Sequence, residues 1–400
     1  MLINLVEPTV QYVATDLKVP RVAIVCDLAE ENWVSMDLVG LMLEQGLREF
    51  EGQLKAIRLC PPMQRRFTGS DSDEPKLLFN ADRIINRFWD YPRWLRMHRD
   101  QFDLFHIVDH SYSQLVHHLP PDRTIVTCHD LDAFRSVLEP DLERRSRAFR
   151  AITRHTLKGF QKAARITCVS IATKDDVLAH RLISPDRVTV VTNGVHPSCS
   201  PKPDTEADRE ADRLLGPHQA HDLLHVGTTI PRKRIEVLVQ VLARVRQQIP
   251  DLRLIRVGGP FTAEQTALAG RFKITDAIVV LPHLQRKVLA SVYRRANLML
   301  LPSEREGFGL PLAEAMACGT PVVASDLPVL REIGGDAAEY CPVGDISGWA
   351  DTIERLFRER ETDPEAWQRR RDVGIHRASR FTWAEYARRM AAIYSELLAG

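Results

Sequence analysis

Two glutamates, Glu306 and Glu314, are separated by seven residues in the run EREGFGLPLAEAMACGTPVVASD. Gly307 and Gly309 fall between them, where a short helix from about Pro311 to Ala317 is expected to begin. Glycine leaves the backbone N–H groups of a helix start uncovered, and those groups with the helix dipole attract anions. A carboxylate beside such a site repels a lone phosphate. It suits a ligand that carries sugar hydroxyls as well as phosphate, which is the chemistry of a nucleotide-sugar. With Phe308 and Leu310, the glycines form the loop expected to lie along such a donor. Taken alone, the stretch also fits a plain βαβ turn with solvated acids.

A second cluster lies in LHVGTTIPRK, Leu224 to Lys233. A strand is expected to end at Gly227 and a helix to start near Arg234, so Thr228, Arg232 and Lys233 belong to a strand-to-helix loop. Arg and Lys there can neutralise a departing diphosphate; the plainer alternative is a basic, solvated helix start. Gly258, in VGGP, ends another strand and lets backbone approach a ligand, or simply makes a tight turn. In the first half, His129 follows the strand TIVTC and His110 follows DLFHIV, both expected on the cleft side. A histidine there can donate to a sugar hydroxyl or stay structural. Trp33, in AEENWVS, is a candidate to stack on an acceptor sugar or to pack into the core.

The run from Glu306 to Ser325, some 20 residues, resembles the donor-site motif of retaining glycosyltransferase family 4, whose fold is GT-B. The resemblance implies that Lys233 contacts the donor diphosphate, with Arg232 assisting. It implies that His129, in a His-Asp-Leu element with Asp130 and Leu131, approaches the donor sugar. It also implies that the loop reaching Leu284 borders the nucleotide base through backbone groups. Asn193-Gly194-Val195 resembles the family's Asn-Gly-Val element and reads as a structural turn. Three departures stand out. Thr228 occupies a place where many relatives have arginine. His283 and Leu284 stand where glycine is common. The first loop, around Trp33, lacks the glycines of many relatives. The family does not rely on a DxD-bound metal, so no metal is expected; Asp71-Ser72-Asp73 and Asp130-Leu131-Asp132 are the nearest patterns.

The elements needed to hold these residues are legible as well. Four hundred residues suffice for roughly two domains, and 44% hydrophobic with 27% charged residues is ordinary for a globular chain. The net charge of +1 gives no global field for nucleic acid. Seven scattered cysteines without a CxxC suggest reduced thiols and a cytoplasmic protein. The first 20 residues read as a weakly structured arm without the pattern of a signal peptide, and no apolar run is long enough to span a membrane.

Short apolar runs alternate with helical patterns, which argues a parallel, doubly wound sheet. Strands are expected at 21–26, 53–59, 103–108, 124–128, 166–170 and 188–191. Helices are expected at 36–49 and 141–163, and a mobile loop at 61–75. Residues 197–221, rich in Pro and charge, read as a linker. Alternation resumes with strands at 223–227, 253–257, 277–281, 298–301 and 322–324, and the tail 346–398 reads as helices. The fold class is therefore α/β, with two doubly wound Rossmann-like domains facing across a cleft as in GT-B. Residues 1–200 would form the acceptor domain and 201–380 the donor domain. Residues 381–400 would form a helix that, as in relatives, returns to the first domain. The basic, aromatic stretches 87–99 and 144–158 could touch an anionic membrane or a lipid-linked acceptor, or be solvated faces.

The expected activity is retaining transfer of a hexose, mannose or glucose, from a GDP- or UDP-linked donor to a glycan or lipid-linked acceptor. Glu306, His129 and Lys233 would be catalytic, without a cofactor. The alternatives are a non-catalytic nucleotide-sugar binding module and a GT-B epimerase.

Overall fold

The computed structural model describes residues 19–69, 76–218 and 220–399. The N-terminal arm and Asp71-Ser72-Asp73 lie outside the described residues.

Six strands of the first half, β1 (Arg21–Val25), β2 (Lys55–Leu59), β3 (Leu104–Ile107), β4 (Thr124–Cys128), β5 (Arg165–Cys168) and β6 (Val188–Val190), form one sheet. Its order is β2-β1-β3-β4-β5-β6, with every pair parallel. Six more, β7 (Asp222–Val226), β8 (Arg253–Val257), β9 (Ile278–Leu281), β10 (Leu298–Leu301), β11 (Val322–Ser325) and β12 (Ala338–Cys341), form the second sheet. Its order is β12-β11-β10-β7-β8-β9, again parallel. Helices cover both faces, which is why the central strands are continuous apolar runs: all four residues of β10 are buried.

Three elements differ from the sequence reading. β12 was not expected; its sequence AEYC is too short to show a period, and its pairing with β11 makes it a strand. The expected linker contains a helix, Thr205–Leu215, capped by the Asp204 side chain. Its Ala207, Ala211 and Leu215 recur every fourth residue and are buried, so three small or apolar side chains seat it despite its charge. The expected mobile loop is anchored over 64–68. Asp82 accepts from the amides of Arg66, Phe67 and Thr68, and Asn86 accepts from that of Gln64.

The last helix, Trp383–Ala399, leaves the second domain and packs on helix Val34–Leu47 of the first. Trp383, Tyr386, Met390 and Tyr394 enter the core beside Val22 and Ile24 of β1. Tyr394 hydroxyl lies 2.6 Å from Nδ1 of the buried His106, whose Nε2 lies 2.7 Å from Thr127 Oγ1. Burial pushes the His106 pKa down to about 3. Gly194 marks the crossing, since a Cβ there would lie 2.3 Å from the Trp383 amide nitrogen. The second sheet, the last helix and the first sheet are thereby tied into one assembly with a cleft between the carboxyl ends of the strands.

Candidate active site

The loop after β7 turns through a short 3-10 segment, Pro231–Lys233, before helix Ile235–Val245. Arg234 at the junction adopts a left-handed conformation, φ 49°. That turn sends Lys233 inward, where it is buried, and leaves Arg232 half-buried at the cleft. Lys233 Nζ donates to Glu306 Oε1 at 2.5 Å, and Ser303 Oγ donates to the same oxygen at 2.7 Å. Arg232 NH1 is 3.7 Å from Glu306 Oε2. Burial alone would raise the Glu306 pKa; Lys233 and Arg232 outweigh it and hold the carboxyl below its usual range.

Glu314 is buried on helix Leu310–Ala317 and faces other partners. Tyr293 hydroxyl donates to Oε2 at 3.0 Å, and Arg286 NH1 is 3.8 Å from Oε1. Burial raises its pKa, with only partial offset from Arg286 and Tyr293. The two carboxylates therefore have separate partners. Glu306 turns to the Lys233 loop and Glu314 to helix Arg286–Arg295, because Glu306 precedes the helix and Glu314 lies within it.

The glycines between them have separate reasons. Gly309 caps the helix at φ 88°, and no side chain caps that end. Gly307 is an interdomain contact: a Cβ there would lie 1.6 Å from the His129 carbonyl oxygen. Its own carbonyl accepts from Ser170 Oγ at 2.8 Å and Thr173 Oγ1 at 3.2 Å, both in the first domain. Phe308 can serve the donor loop only through its main chain, because its side chain is buried, edge-on to Phe381. Leu310 and Leu284 are half-buried against the second-domain core. Gly227 and Gly258 touch: a Cβ on Gly258, φ 125°, would lie 2.0 Å from the Gly227 carbonyl oxygen. Gly258 therefore lets the ends of β7 and β8 close up beside the half-buried Thr228.

Across the cleft, His129 donates Nε2–H to the Val108 carbonyl at 2.7 Å, which leaves Nδ1 as the acceptor nitrogen. Burial holds its pKa down, so the ring is neutral. Asp130 orients its own loop, its Oδ1 accepting from the Asp132 amide at 3.0 Å, and it also reaches the other domain. Its Oδ2 is 3.5 Å from Arg232 NH2, while Asp132 Oδ2 is 3.1 Å from Arg232 Nε. Arg305 Nε donates to Asp132 at 3.1 Å.

The two acceptor-side residues separate. Trp33 is 44% exposed and donates Nε1–H to Glu31, so it does not pack into the core. His110 is buried, its Nδ1 3.2 Å from Asp109 Oδ1, and it offers no surface to an acceptor. Arg286 was missed. It bridges Glu314 to the Val34 carbonyl of the first domain at 3.2 Å. The only sequence signal was a basic pair, Arg286-Lys287, opening a helix after a strand loop.

A cavity of about 400 Å³ opens beside Glu306, lined among others by Asp132, Arg135, Asp176, Arg305 and Pro328. A larger groove of about 810 Å³, between Arg244 and Glu354, holds none of these site residues. Of the two, the smaller cavity matters here because it adjoins the charged cluster.

Two parallel six-stranded domains with a basic loop, a half-buried Glu306 after β10 and a buried Glu314 on the helix that follows define a GT-B protein. Over 95% of this chain and 99% of the other, it superposes on sucrose-phosphate synthase from Thermosynechococcus elongatus with a TM-score of 0.72 at 20% identity. It superposes on HepE from Anabaena, solved with UDP and glucose, with a TM-score of 0.71 at 15% identity, over 94% and 100% of the two chains. Residues 61–198 match the sequence model of Glycosyltransferase Family 4, and residues 207–372 that of Glycosyl transferases group 1. The chain belongs to this glycosyltransferase family. Among its relatives are proteins named D-inositol 3-phosphate glycosyltransferase. That of Streptosporangium roseum is 32% identical over 229 residues, 54% of this chain and 51% of the relative. That of Stackebrandtia nassauensis is 34% identical over 226 residues, 54% and 50%. The chain spans about half the length of the relatives it matches.

Proposed function

We propose that the protein is a retaining glycosyltransferase that moves a hexose from a nucleotide-diphosphate sugar to a glycan or lipid-linked acceptor. The observation that carries this reading is the Lys233–Glu306 contact, with Arg232 beside it, facing His129 across the cleft. An acid held ionised next to two cations suits a donor that presents both hydroxyls and a diphosphate.

Lys233, Arg232 and the backbone from Gly307 to Gly309 take the charge of the departing diphosphate. Glu306 accepts from sugar hydroxyls and stabilises positive charge on the ring. Glu314 accepts from ribose hydroxyls, and Arg286 holds it in place. Leu284, Gly227, Thr228, Gly258, Phe308 and Leu310 shape the donor site through backbone and apolar edges. Neutral His129 presents Nδ1 as an acceptor for a sugar hydroxyl. The bond from the anomeric carbon to the phosphate oxygen breaks as the bond to the acceptor oxygen forms on the same face. The acceptor proton passes to the leaving phosphate oxygen. No protein-bound metal is required, because the two cations already face the phosphates. Trp33, exposed at the cleft edge, offers a stacking face to the acceptor.

Peripheral membrane contact and a lipid-linked acceptor are supported by the exposed Trp89 and Met97 among arginines, and by Phe149 and Ile152 on helix Arg147–Lys162. Other residues of stretch 87–99 are structural: Tyr91 and Leu95 are buried, and Arg87 stacks on Tyr112 at 4.0 Å. A cytoplasmic location is part of the same proposal. Among the described residues no helix is long and apolar enough to cross a membrane.

The test is nucleotide release from a panel of UDP- and GDP-sugars, with wild type and Glu306→Gln. Release from one donor, lost in Glu306→Gln while nucleotide still binds, supports transfer. Binding without release from any donor would point to the non-catalytic module. A changed sugar with no released nucleotide would point to an epimerase.

A further inference from the structure

Buried polar groups of the first domain crowd the strand ends nearest the cleft. Asp27, Asp109 and His110 are each more than nine-tenths buried. His110 Nδ1 lies 3.2 Å from Asp109 Oδ1, and its Nε2 has no hydrogen-bond partner and faces Asp130 Oδ1 at 3.6 Å. Asp130 Oδ2 is 3.5 Å from Arg232 NH2, and Arg232 NH1 is 3.7 Å from Glu306 Oε2. Glu306 ends the series on Lys233. From Asp109 through His110, Asp130, Arg232 and Glu306 to Lys233, positive and negative groups alternate. The series crosses the domain boundary between Asp130 and Arg232.

The charge on His110 follows from what surrounds it. Asp109 flanks it on its own segment, and Asp130 and Asp132 approach from the loop after β4. Against them stand the His129 ring, with centroids 6.3 Å apart, the His129 amide 3.4 Å from Nδ1, and the apolar edge of Phe134. Behind Asp109, burial and the Asp109 charge raise the Asp27 pKa well above the usual carboxylate range, with Arg87 acting against them. Burial works against an imidazolium, but the three carboxylates outweigh it and raise the His110 pKa. Burial pushes the Asp109 carboxyl up, but its contact with His110, the nearby His129 and the Ser111 hydroxyl outweigh that and hold it well below the usual carboxylate range.

Asp130 therefore has His110, a cation when protonated, behind it and Arg232 in front. A diphosphate at Arg232 and Lys233 would bring further negative charge to that place. An unscreened Asp130 would repel it and compete for the guanidinium.

We propose that His110 is a positioning residue for donor binding: it holds and screens Asp130, so that Arg232 keeps its charge for the diphosphate. This rests on the assignment of Arg232 and Lys233 to the diphosphate made above. His110 is buried and touches no ligand; it acts through Asp130. Donor affinity is then greatest while His110 is charged and falls as pH rises through its pKa.

The experiment is calorimetric titration of UDP-glucose and GDP-mannose, whose diphosphates stay ionised, between about pH 5.5 and 8.5, the window of a histidine. Wild type, His110→Asn, Asp130→Asn and the double variant are compared. Wild-type affinity declines with pH. His110→Asn binds about tenfold more weakly at low pH, the scale of one partly buried charge pair, and its profile is flat. Asp130→Asn binds at least as well as wild type and is flat, and the double variant recovers that affinity. A purely structural histidine would leave the double variant as weak as His110→Asn, and that outcome overturns the proposal. So does a wild-type pH dependence that persists in Asp130→Asn, a variant that leaves His110 in place should His110→Asn not fold. Binding indifferent to both residues overturns this inference alone. If neither nucleotide-sugar binds the wild type, the diphosphate assignment fails and this inference with it.

Discussion

Lys233 Nζ and Glu306 Oε1 lie 2.5 Å apart although 73 residues separate them in the chain. Each sits on a loop leaving a strand of the same sheet, β7 and β10, which are neighbours. The parallel pairing brings the loops together, and the pair is the centre of the candidate site. Lys233→Ala should raise the donor KM and cut kcat, by about 10²–10³ in kcat/KM, the scale of losing one preorganised charge at a leaving group. Steady-state kinetics on whichever donor the panel selects would check it, and an unchanged KM would remove Lys233 from the diphosphate.

The same pair makes a pH prediction. The folded-state pKa of Glu306 is depressed, so its ionisation contributes stability that is present above the unfolded value and lost as pH falls through the folded one. Glu306→Gln should therefore flatten the acid limb of a stability-against-pH curve. At neutral pH it should cost about 2–3 kcal/mol, because Lys233 is left buried without its acceptor. Urea unfolding between about pH 3 and 7 reads both effects.

Gly307 carries the tightest approach between domains. In Gly307→Ala the new Cβ meets main chain, the His129 carbonyl, and cannot be relieved by a side-chain rotation. The expected outcome is a cleft held more open, seen as a larger radius of gyration in solution scattering. The cost is about 1–3 kcal/mol of stability, typical of overpacking. Unchanged scattering and stability would mean that the two loops separate freely in solution.

Tyr293→Phe removes the hydroxyl that orients Glu314. Loss of one hydrogen bond to a buried acid costs about 1–2 kcal/mol of stability. Donor KM should rise while kcat changes little, since a ribose contact is made equally in ground and transition states. A fall in kcat at constant KM would place Glu314 at the reacting centre instead.

Tyr394→Phe tests the return of the last helix. It leaves His106 Nδ1 without its partner in a fully buried site. Stability should drop by about 1–2 kcal/mol, lowering Tm by a few degrees, with donor affinity unchanged. A coupled loss of donor affinity would show that the helix also sets the domain angle.

The sequence by itself determined the alternation of short buried strands with helices, because a strand covered on both faces must be apolar throughout. It therefore determined the α/β class and the strand ends where Lys233, Glu306 and His129 stand. Glycine pattern and acid spacing marked the Glu306–Glu314 loop, since glycines at a helix start leave its amides bare for an anion. Tertiary structure decided which groups meet. β12 and helix Thr205–Leu215 take their form from neighbours far along the chain, so their own composition could not announce them. Phe308 and His110 look like site residues by position, but packing turns one into the core and buries the other behind Asp130. The interdomain roles of Arg286 and Asp130 were not legible in sequence, because a charge becomes an interdomain contact only when the two sheets are set face to face. Gly307 shows both levels at once. Its type was visible as a bare loop, but its reason, a main-chain contact with His129, exists only in the folded pair of domains.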